Sequence, residues 1–462
     1  MDQRPPSPME LRPRKANEPI ISSPPNGSVM GGKPTVQPVG ASRLGRAPSR
    51  SASFASEKSG LPAFCTSIAE STPALLYGED RIQYLLEKLS QIDVRDRMNL
   101  RTYFDQFIAR MSKNNASDID LGGTSSSGLV WYRIDGEKRP DFNIPRFSLD
   151  ECNLLILGML SGSSLASLKE WRAADFSYEL GASPGVKRKR FRATVYMDMG
   201  SLALNMRAIT EEIRPLKSLA FHPSIERGLL FRHVRDGLTL ITGVTGSGKS
   251  TTLDSIVDAN NDDISGHIVV IGKPIEYVHE SKKCIVRHRE VGTDVPTFKD
   301  GIVQALRQDP DIVVIGEMRD RETISAALEI TDSGHKVFST LHTSSAVESI
   351  DRIIAEYPPA EQGRVRFRLA DVLRCIVSQK LLPKVGGGRI LAKEVLWMTP
   401  SARAAIKNNN TNEIYQMMYE GWNVGQITLE QDLYRLMRQG QIAPDTALNY
   451  ANNKRRFQQL AQ

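Results

Sequence analysis

The chain has 462 residues, of which 40% are hydrophobic and 24% charged, the composition of an ordinary water-soluble globular protein. It is too long for one compact domain, has no run of about 18 apolar residues that could cross a bilayer, and begins without the apolar core of a secretory signal. We therefore expect two folded units in the cytoplasm. The four cysteines lie far apart without metal-ligand spacing, so they are expected to stay reduced: Cys65, Cys152, Cys284 and Cys375.

The formal net charge of +7 and the pI of 9.1 are typical of proteins that bind nucleic acid. Residues 1–60, however, hold nine Lys or Arg and only four Asp or Glu, so most of the excess lies in this segment. A basic tail more often makes weak contacts with a membrane or a partner than it recognises a sequence. We therefore expect no specific nucleic-acid partner.

The first predicted region is a tail, residues 1–75, rich in Pro, Ser and Gly and without apolar periodicity. Such a segment buries too little apolar surface to offset the entropy of ordering, so we expect it to be disordered. The helical spacing in RIQYLLEKLSQI and LRTYFDQFIARMSK then begins a new region. Short alternating segments, GLVWYRIDG and KRFRATVYMDM, follow. This pattern predicts a small α+β domain over residues 76–210 and a linker over 211–237.

The last region, residues 238–462, alternates apolar runs with amphipathic helices. The runs predict strands LTLIT (238–242), HIVVI (267–271), IVVIG (312–316) and VFSTL (337–341). Alternation of this kind favours a parallel sheet covered by helices, an α/β fold. Beyond Pro358 the spacing is mostly helical, apart from a strand-like RILAKEVLWM.

The strongest motif is the phosphate-loop pattern GVTGSGKS, which lies between a predicted strand and a predicted helix. Its glycines allow backbone N–H groups to surround phosphates, Lys249 can reach the β and γ phosphates, and Ser250 can bind Mg²⁺. The alternative is a Gly-rich strand-to-helix turn that binds nothing. We predict an ATP and Mg²⁺ site with binding residues Gly243, Thr245, Gly246, Ser247, Gly248, Lys249, Ser250 and Thr251.

Two later segments carry further candidates. Glu317 follows the IVVIG strand, at the sheet edge where ligands of open α/β folds bind, and can hold Mg²⁺ or its water. The alternative for Glu317 and for Asp320 is an acidic cluster that caps a helix. His335 and His342 flank the VFSTL strand. A histidine beside a nucleotide can sense the γ-phosphate, but a lone histidine is usually a structural residue.

Four segments occur together, GVTGSGKSTTL, KPIEYVHESKKCIV, DPDIVVIGEMRDRETI and SGHKVFSTLHTSSA. Further segments lie before them, ASDIDL, YRIDGEKR, ADFSYE and RFR, and one lies after them, SQKLLPKVGGGRILAKEVL. Together these segments make the chain resemble, over residues 80–450, the PilT-type ATPases of the type II/IV secretion superfamily. Members drive retraction of type IV pili, and close relatives serve type IVB secretion and conjugation.

The resemblance implies a homohexamer with a PAS-like amino-terminal domain, a RecA-like ATPase domain and the nucleotide between them. It implies a metal or water role for Glu317, a γ-phosphate or intersubunit role for His342, and support of the same strand by His335. It also implies that Arg192 and Arg207 approach the phosphates, a task that suits a permanently charged fork of donors. The implied partner is the platform protein of a pilus or secretion machine at the inner membrane.

The chain departs from the family where the aspartate box, Glu-Asp-Pro-Ile-Glu, becomes Gly272-Lys273-Pro-Ile-Glu276. Neither Gly272 nor Lys273 can act as a general base, and the direction of Glu276 is open. We therefore expect Mg·ATP binding with slow hydrolysis, and a gain in turnover when Gly272→Glu and Lys273→Asp restore the family residues.

Two other departures are a Gly200 where the family has an arginine, and SARAAIKNNN, which matches the retraction signature AIRNLIRE only in part. The expected function is that of a hexameric motor ATPase of a type IV pilus or a related secretion machine. Three alternatives stay open: a type IVB secretion or conjugation ATPase, a non-hydrolysing regulatory subunit of such a machine, and a nucleic-acid translocase. A near-neutral folded part disfavours the translocase.

Overall fold

The structure, a computed structural model, describes residues 60–180, 189–209 and 212–462. The disorder predicted for residues 1–59 lies outside this described part. None of the described helices combines the length and the apolar character that crossing a bilayer requires. The four cysteines are buried and form no disulfide.

The amino-terminal domain consists of an antiparallel sheet and five helices, which matches the predicted α+β domain. The sheet has the order β3-β2-β1-β6-β5-β4. Its elements are α1 (Ala63–Ser71), α2 (Gly78–Ser90), α3 (Val94–Lys113), β1 (Asp118–Gly122), β2 (Trp131–Ile134), β3 (Glu137–Pro140), α4 (Leu149–Leu157), α5 (Gly162–Trp171), β4 (Ala173–Leu180), β5 (Lys189–Asp198) and β6 (Ser201–Ala208). Alternate residues of β5 are buried, as expected for a sheet with one face on a core. This arrangement is compatible with a PAS-like domain.

The prediction of disorder up to residue 75 is wrong for α1, which is packed into the amino-terminal domain. Cys65 is fully buried and Ile68 is 8% exposed. Thr66 Oγ1 donates a hydrogen bond to Glu151 of α4, at 3.2 Å. The prolines and serines around α1 hid a helix of only nine residues, whose two buried side chains lie three positions apart on one face.

A truncation tests this packing. We expect a chain that begins at Leu76 to melt about 3 °C or more below a chain that begins at Gly60. Burial of one isoleucine contributes about 1.5–3 kcal/mol, and 1 kcal/mol corresponds to about 2–4 °C for a domain of this size. Thermal unfolding of the two chains measures the difference. Equal melting temperatures would show that α1 contributes nothing to the domain.

The carboxy-terminal domain is a helix-covered seven-stranded sheet with the order β13-β12-β7-β11-β10-β8-β9. Only β13 runs antiparallel to its neighbour. The strands are β7 (Gly237–Thr242), β8 (His267–Gly272), β9 (Ile285–Glu290), β10 (Ile312–Ile315), β11 (Lys336–Leu341), β12 (Leu373–Pro383) and β13 (Arg389–Trp397). Four of them are the predicted parallel strands. The fold class is therefore α/β, as expected.

Eleven α-helices belong to this domain. They are α6 (Pro223–Leu229), α7 (Lys249–Asp263), α8 (Phe298–Ala305), α9 (Arg321–Asp332), α10 (Ala346–Ala355), α11 (Pro359–Val372), α12 (Pro400–Lys407), α13 (Ile414–Glu420), α14 (Leu429–Arg438), α15 (Pro444–Tyr450) and α16 (Lys454–Ala461). Because the central strands are parallel, their carboxyl ends share one edge of the sheet, and the loops to α7 and α9 leave from that edge.

Two boundaries in this domain differ from the prediction. The segment Leu373–Pro383, expected to be helical, is strand β12, which pairs with β7 and β13. Its continuous apolar run does not separate a buried strand from a buried helix. Part of the predicted linker belongs to the carboxy-terminal domain, because Ile225 and Leu229 of α6 are buried against it. Lys336 Nζ of β11 also donates to the carbonyl oxygen of Val234, at 2.8 Å.

Candidate nucleotide-binding site

The phosphate-loop segment joins β7 to α7, as the sequence predicts. Gly246 and Gly248 have φ angles of 80° and 88°, in the region that favours glycine. A Cβ atom on Gly243 would lie 2.5 Å from the carbonyl oxygen of Gln379, so the start of the loop also requires glycine. The N-terminus of α7, with its unpaired N–H groups and positive dipole, therefore follows a loop that a phosphate can approach closely.

Lys249 lies at the first position of α7 and is only 8% exposed. Its Nζ donates hydrogen bonds to the carbonyl oxygens of Gly243, at 2.8 Å, and Val244, at 3.2 Å. Burial lowers the pKa of Lys249, and the nearby carboxylates of Glu276 and Glu317 oppose that change. The ammonium is thus held at the loop, between the loop and two carboxylates.

Glu317 and His342 come together because they follow the adjacent parallel strands β10 and β11. Glu317 Oε2 lies 2.7 Å from Arg319 Nε and 3.7 Å from His342 Nε2. Burial and the Lys249 charge lower the pKa of His342, which leaves a neutral imidazole near pH 7. Its Nδ1 lies 3.5 Å from Lys249 Nζ, so this nitrogen is placed to accept from the ammonium.

Two other candidate residues, Asp320 and His335, make structural contacts outside the nucleotide site. Asp320 caps α9, because its Oδ1 accepts a hydrogen bond from the Thr323 backbone N–H at 2.8 Å. For Asp320 the capping interpretation is therefore correct. His335 lies at the opposite end of β11, where its Nδ1 contacts Ser333 Oγ at 2.9 Å. Its side chain also contacts the carbonyl oxygen of Ile330, at 3.2 Å, and does not line the cleft, so the support of the strand by His335 stays a prediction.

Arg192 and Arg207 stand directly opposite each other on β5 and β6 of the amino-terminal domain. Like charges at paired positions destabilise a sheet unless anions compensate them. Arg207 Nε lies 2.8 Å from Asp118 Oδ1, and Arg192 Nη1 lies 3.8 Å from Glu276 Oε1. Both guanidinium groups line the cleft described next, so both are available to an anionic ligand.

The cleft has a volume of about 610 Å³ and is lined by both domains. Its lining includes ten of the predicted site residues, Thr245, Gly246, Gly248, Lys249, Ser250, Thr251, Arg192, Arg207, Glu317 and His342. Gly243 and Ser247, which were predicted with them, do not line this cleft. An adjoining cavity of about 520 Å³ is lined partly by apolar Leu219, Leu381 and Ile390. Phosphate-binding groups therefore lie next to an apolar recess suited to a planar base.

The altered aspartate box follows β8 and lines the same cleft. Lys273 and Glu276 are both among its lining residues. A Cβ atom on Gly272 would lie 2.9 Å from Ile275 Cδ1 and 3.2 Å from the carbonyl oxygen of Pro274. The direction of Glu276, which the sequence left open, is toward the cleft. A carboxylate is therefore present although Gly272 and Lys273 cannot supply one.

The sequence interpretation missed Gln379, which holds the phosphate loop from β12. Its Nε2 donates to the carbonyl oxygen of Ser247 at 2.9 Å, and its Oε1 accepts from Thr252 Oγ1 at 3.0 Å. Gln379 is 1% exposed, so both of its polar ends depend on these bonds. The only signal was the segment SQKLL within the family resemblance. Arg319 and Arg389 also line the cleft and were not predicted.

Mg²⁺ fits the oxygen groups at this site. Within the described ranges, no group of three or more His, Cys, Asp and Glu side chains is arranged to hold a metal ion by itself. Mg²⁺ usually takes one or two protein oxygens and completes its shell with substrate phosphates and water. The Ser250 hydroxyl and the Glu317 carboxylate line the cleft and supply such oxygens.

Comparison with known proteins is consistent with this site. Residues 203–387 match the family described as type II/IV secretion system protein. The chain is 37% identical over 356 residues to the type IV pilus retraction ATPase PilT of Pseudomonas aeruginosa, covering 76% of this chain and 99% of that protein. A crystal structure of the pilus retraction motor PilT with bound ADP has a TM-score of 0.68 and 38% identity, covering 77% of this chain and 98% of that chain. The Legionella pneumophila ATPase DotB has a TM-score of 0.60 and 27% identity, covering 75% and 94%.

Proposed function

The chain belongs to the PilT-type ATPases of the type II/IV secretion superfamily, and from this premise we propose that it works as a homohexamer that hydrolyses Mg·ATP. It is a type IV pilus retraction ATPase or the ATPase of a related secretion machine. We place it on the cytoplasmic side of the inner membrane, attached through a platform protein and without a specific nucleic-acid partner.

One observation carries the proposal: a cleft between the amino-terminal and carboxy-terminal domains brings the phosphate loop together with Glu276, Glu317, His342, Arg192 and Arg207. Each group has a task in phosphoryl transfer. Lys249 and the loop amides bind the phosphates, and Arg192 and Arg207 lie where they can stabilise charge that develops on the transferred group. Mg²⁺, when bound through Ser250 and Glu317, neutralises phosphate charge.

We assign the general-base role to Glu276. It lines the cleft and lies within Coulomb range of Lys249. A carboxylate there can accept a proton from the attacking water, while neutral His342 can donate a hydrogen bond to the γ-phosphate. Glu317 lies 2.7 Å from Arg319 and is better suited to the metal or its water.

A second candidate, a subunit that binds ATP without hydrolysing it, is favoured by the loss of the carboxylates at positions 272 and 273. Slow hydrolysis therefore stays a prediction. Type IVB secretion, which the family resemblance implies for close relatives, is a further alternative, whereas the identity of 37% to the pilus retraction ATPase PilT, against 27% to the ATPase DotB, favours the pilus.

The motor proposal is tested by measuring both ATP hydrolysis and the oligomeric state. We expect the purified chain to release phosphate from Mg·ATP and to have the mass of six subunits by light scattering. A gene deletion should abolish twitching and leave surface pili in place. A monomer without turnover would contradict the motor proposal, and lost secretion with intact twitching would assign the chain to a different machine.

The double substitution Gly272→Glu/Lys273→Asp separates the two candidates. The structure reverses the gain in turnover that the sequence predicts: we expect none, because Glu276 already supplies a carboxylate to the cleft and a side chain at position 272 must displace Ile275. Phosphate release by parent and variant at saturating ATP measures the effect. Lys273→Asp alone is the control, since Lys273 is exposed and its replacement creates no crowding at position 272. A clear gain on restoration would favour the slow-hydrolysis interpretation.

A further inference from the structure

Glu290 ends strand β9 and binds groups from both domains. Its side chain is 13% exposed and receives hydrogen bonds from Ser177 and Arg190 of the amino-terminal domain and from the backbone of Ile275. A buried carboxylate with donors on several sides is held in one orientation. It connects the amino-terminal domain with the aspartate box.

On the amino-terminal side, the contacts come from strands β4 and β5. Ser177 Oγ lies 2.8 and 3.0 Å from the two carboxylate oxygens of Glu290. Arg190 Nη2 donates to Glu290 Oε2 at 3.0 Å, and the Arg190 side chain is only 12% exposed. Because both charges are largely withdrawn from water, removing either one takes from the other its charged partner across the domain boundary, at a substantial cost.

On the ATPase side, the contact is with the residue before the proposed base. The backbone N–H of Ile275 donates to Glu290 Oε2 at 3.2 Å, and Glu276 follows directly. Arg192 lies two positions after Arg190 on β5, so both side chains project from the same face of the strand. Arg192 is the residue that approaches Glu276, at 3.8 Å. Strand β5 therefore reaches the aspartate box directly through Arg192 and indirectly through the Arg190–Glu290 pair.

We propose that Glu290 is a positioning residue that couples the packing of the amino-terminal domain to the placement of Glu276, so that ATP is hydrolysed efficiently only when Arg190 is paired with Glu290. When the domain moves away, Glu290 loses two of its three partners and the backbone of Ile275 loses a fixed acceptor. This deepens the proposed function, since it rests on the assignment of Glu276 as the base.

Kinetics test the coupling. We expect Glu290→Gln and Arg190→Met each to lower kcat by about 10- to 100-fold, the effect of a misplaced catalytic group, with little change in KM for ATP. The double variant should be no slower than the slower single variant, because both remove one interaction. Glu179→Gln is the matched control. Glu179 lies 3.4 Å from Arg190 but belongs to the amino-terminal domain, so kcat should be unchanged.

Ser177→Ala provides a milder variant in case the charge variants fold poorly. It removes one hydrogen bond and keeps the ion pair, so a smaller fall in kcat at an unchanged melting temperature is expected. Additive losses in the double variant, a change in KM alone, or full activity of Glu290→Gln would overturn the proposal.

A distance measurement does not depend on turnover. Spin labels at Glu170→Cys in α5 and Glu329→Cys in α9 report the separation of the two domains, since both positions are exposed. We expect the intrasubunit distance peak to be broader in Arg190→Met and Glu290→Gln than in the parent, and unchanged in Glu179→Gln. Unchanged distributions would refute the domain contact. A broader distribution in a protein without turnover would support the contact and contradict the ATPase proposal.

Discussion

Replacement of Lys249 by alanine is expected to weaken ATP binding by at least about 100-fold, equivalent to roughly 2.7 kcal/mol. The ammonium of Lys249 is largely buried at the phosphate loop. Water therefore screens its attraction to a bound phosphate only weakly. Its partners in the structure are the backbone carbonyls of Gly243 and Val244 and the ring of His342. None belongs to the apolar core, so the fold should remain intact.

Titration of a fluorescent ATP analogue into parent and variant measures the loss. Lys283→Ala is a suitable control, because Lys283 is exposed and does not line the cleft. Circular dichroism and thermal melting should be the same for all three proteins. Equal affinity of Lys249→Ala and the parent would mean that the nucleotide binds elsewhere.

The position of this site follows from local sequence patterns to a large extent. The runs LTLIT, IVVIG and VFSTL are short, apolar and bounded by turn residues, which identifies parallel strands. Because parallel strands end at a common edge, Lys249, Glu317 and His342 had to come near one another once these strands were neighbours. The prediction needed no knowledge of loop conformations.

Contacts between distant polar residues leave no such local signal. Gln379 reaches the phosphate loop only because β12 pairs with β7. The sequence spacing predicts a helix for β12, so it gives no indication of this contact. Whether Glu276 points to the cleft depends on the loop after β8, which has no periodicity. The same is true of Glu290, whose partner Arg190 lies 100 positions away in another domain. Local hydrophobic patterning does not predict such pairings, since they depend on tertiary packing.

Glu276→Gln is expected to lower kcat by about 10²- to 10⁴-fold while ATP affinity changes little, because it removes a general base and keeps the shape of the side chain. The amide oxygen of the new glutamine can still accept from Arg192, so the contact between the two domains at this position is retained. Lys249 keeps Glu317 as a nearby charge. Rapid-quench measurement of phosphate formation and titration of an ATP analogue separate the chemical step from binding.

Glu317→Gln is the informative comparison, because both carboxylates line the cleft but only Glu317 is assigned to Mg²⁺. In that variant we expect the dependence of turnover on Mg²⁺ concentration to shift upward, whereas Glu276→Gln should keep the parent's Mg²⁺ dependence and lose its rate. The two roles can be told apart because a metal ligand acts through metal affinity and a base acts through proton transfer. If Glu276→Gln turned over as fast as the parent while Glu317→Gln lost its rate at every Mg²⁺ concentration, Glu317 would be the base and the aspartate box of this chain would have no catalytic carboxylate.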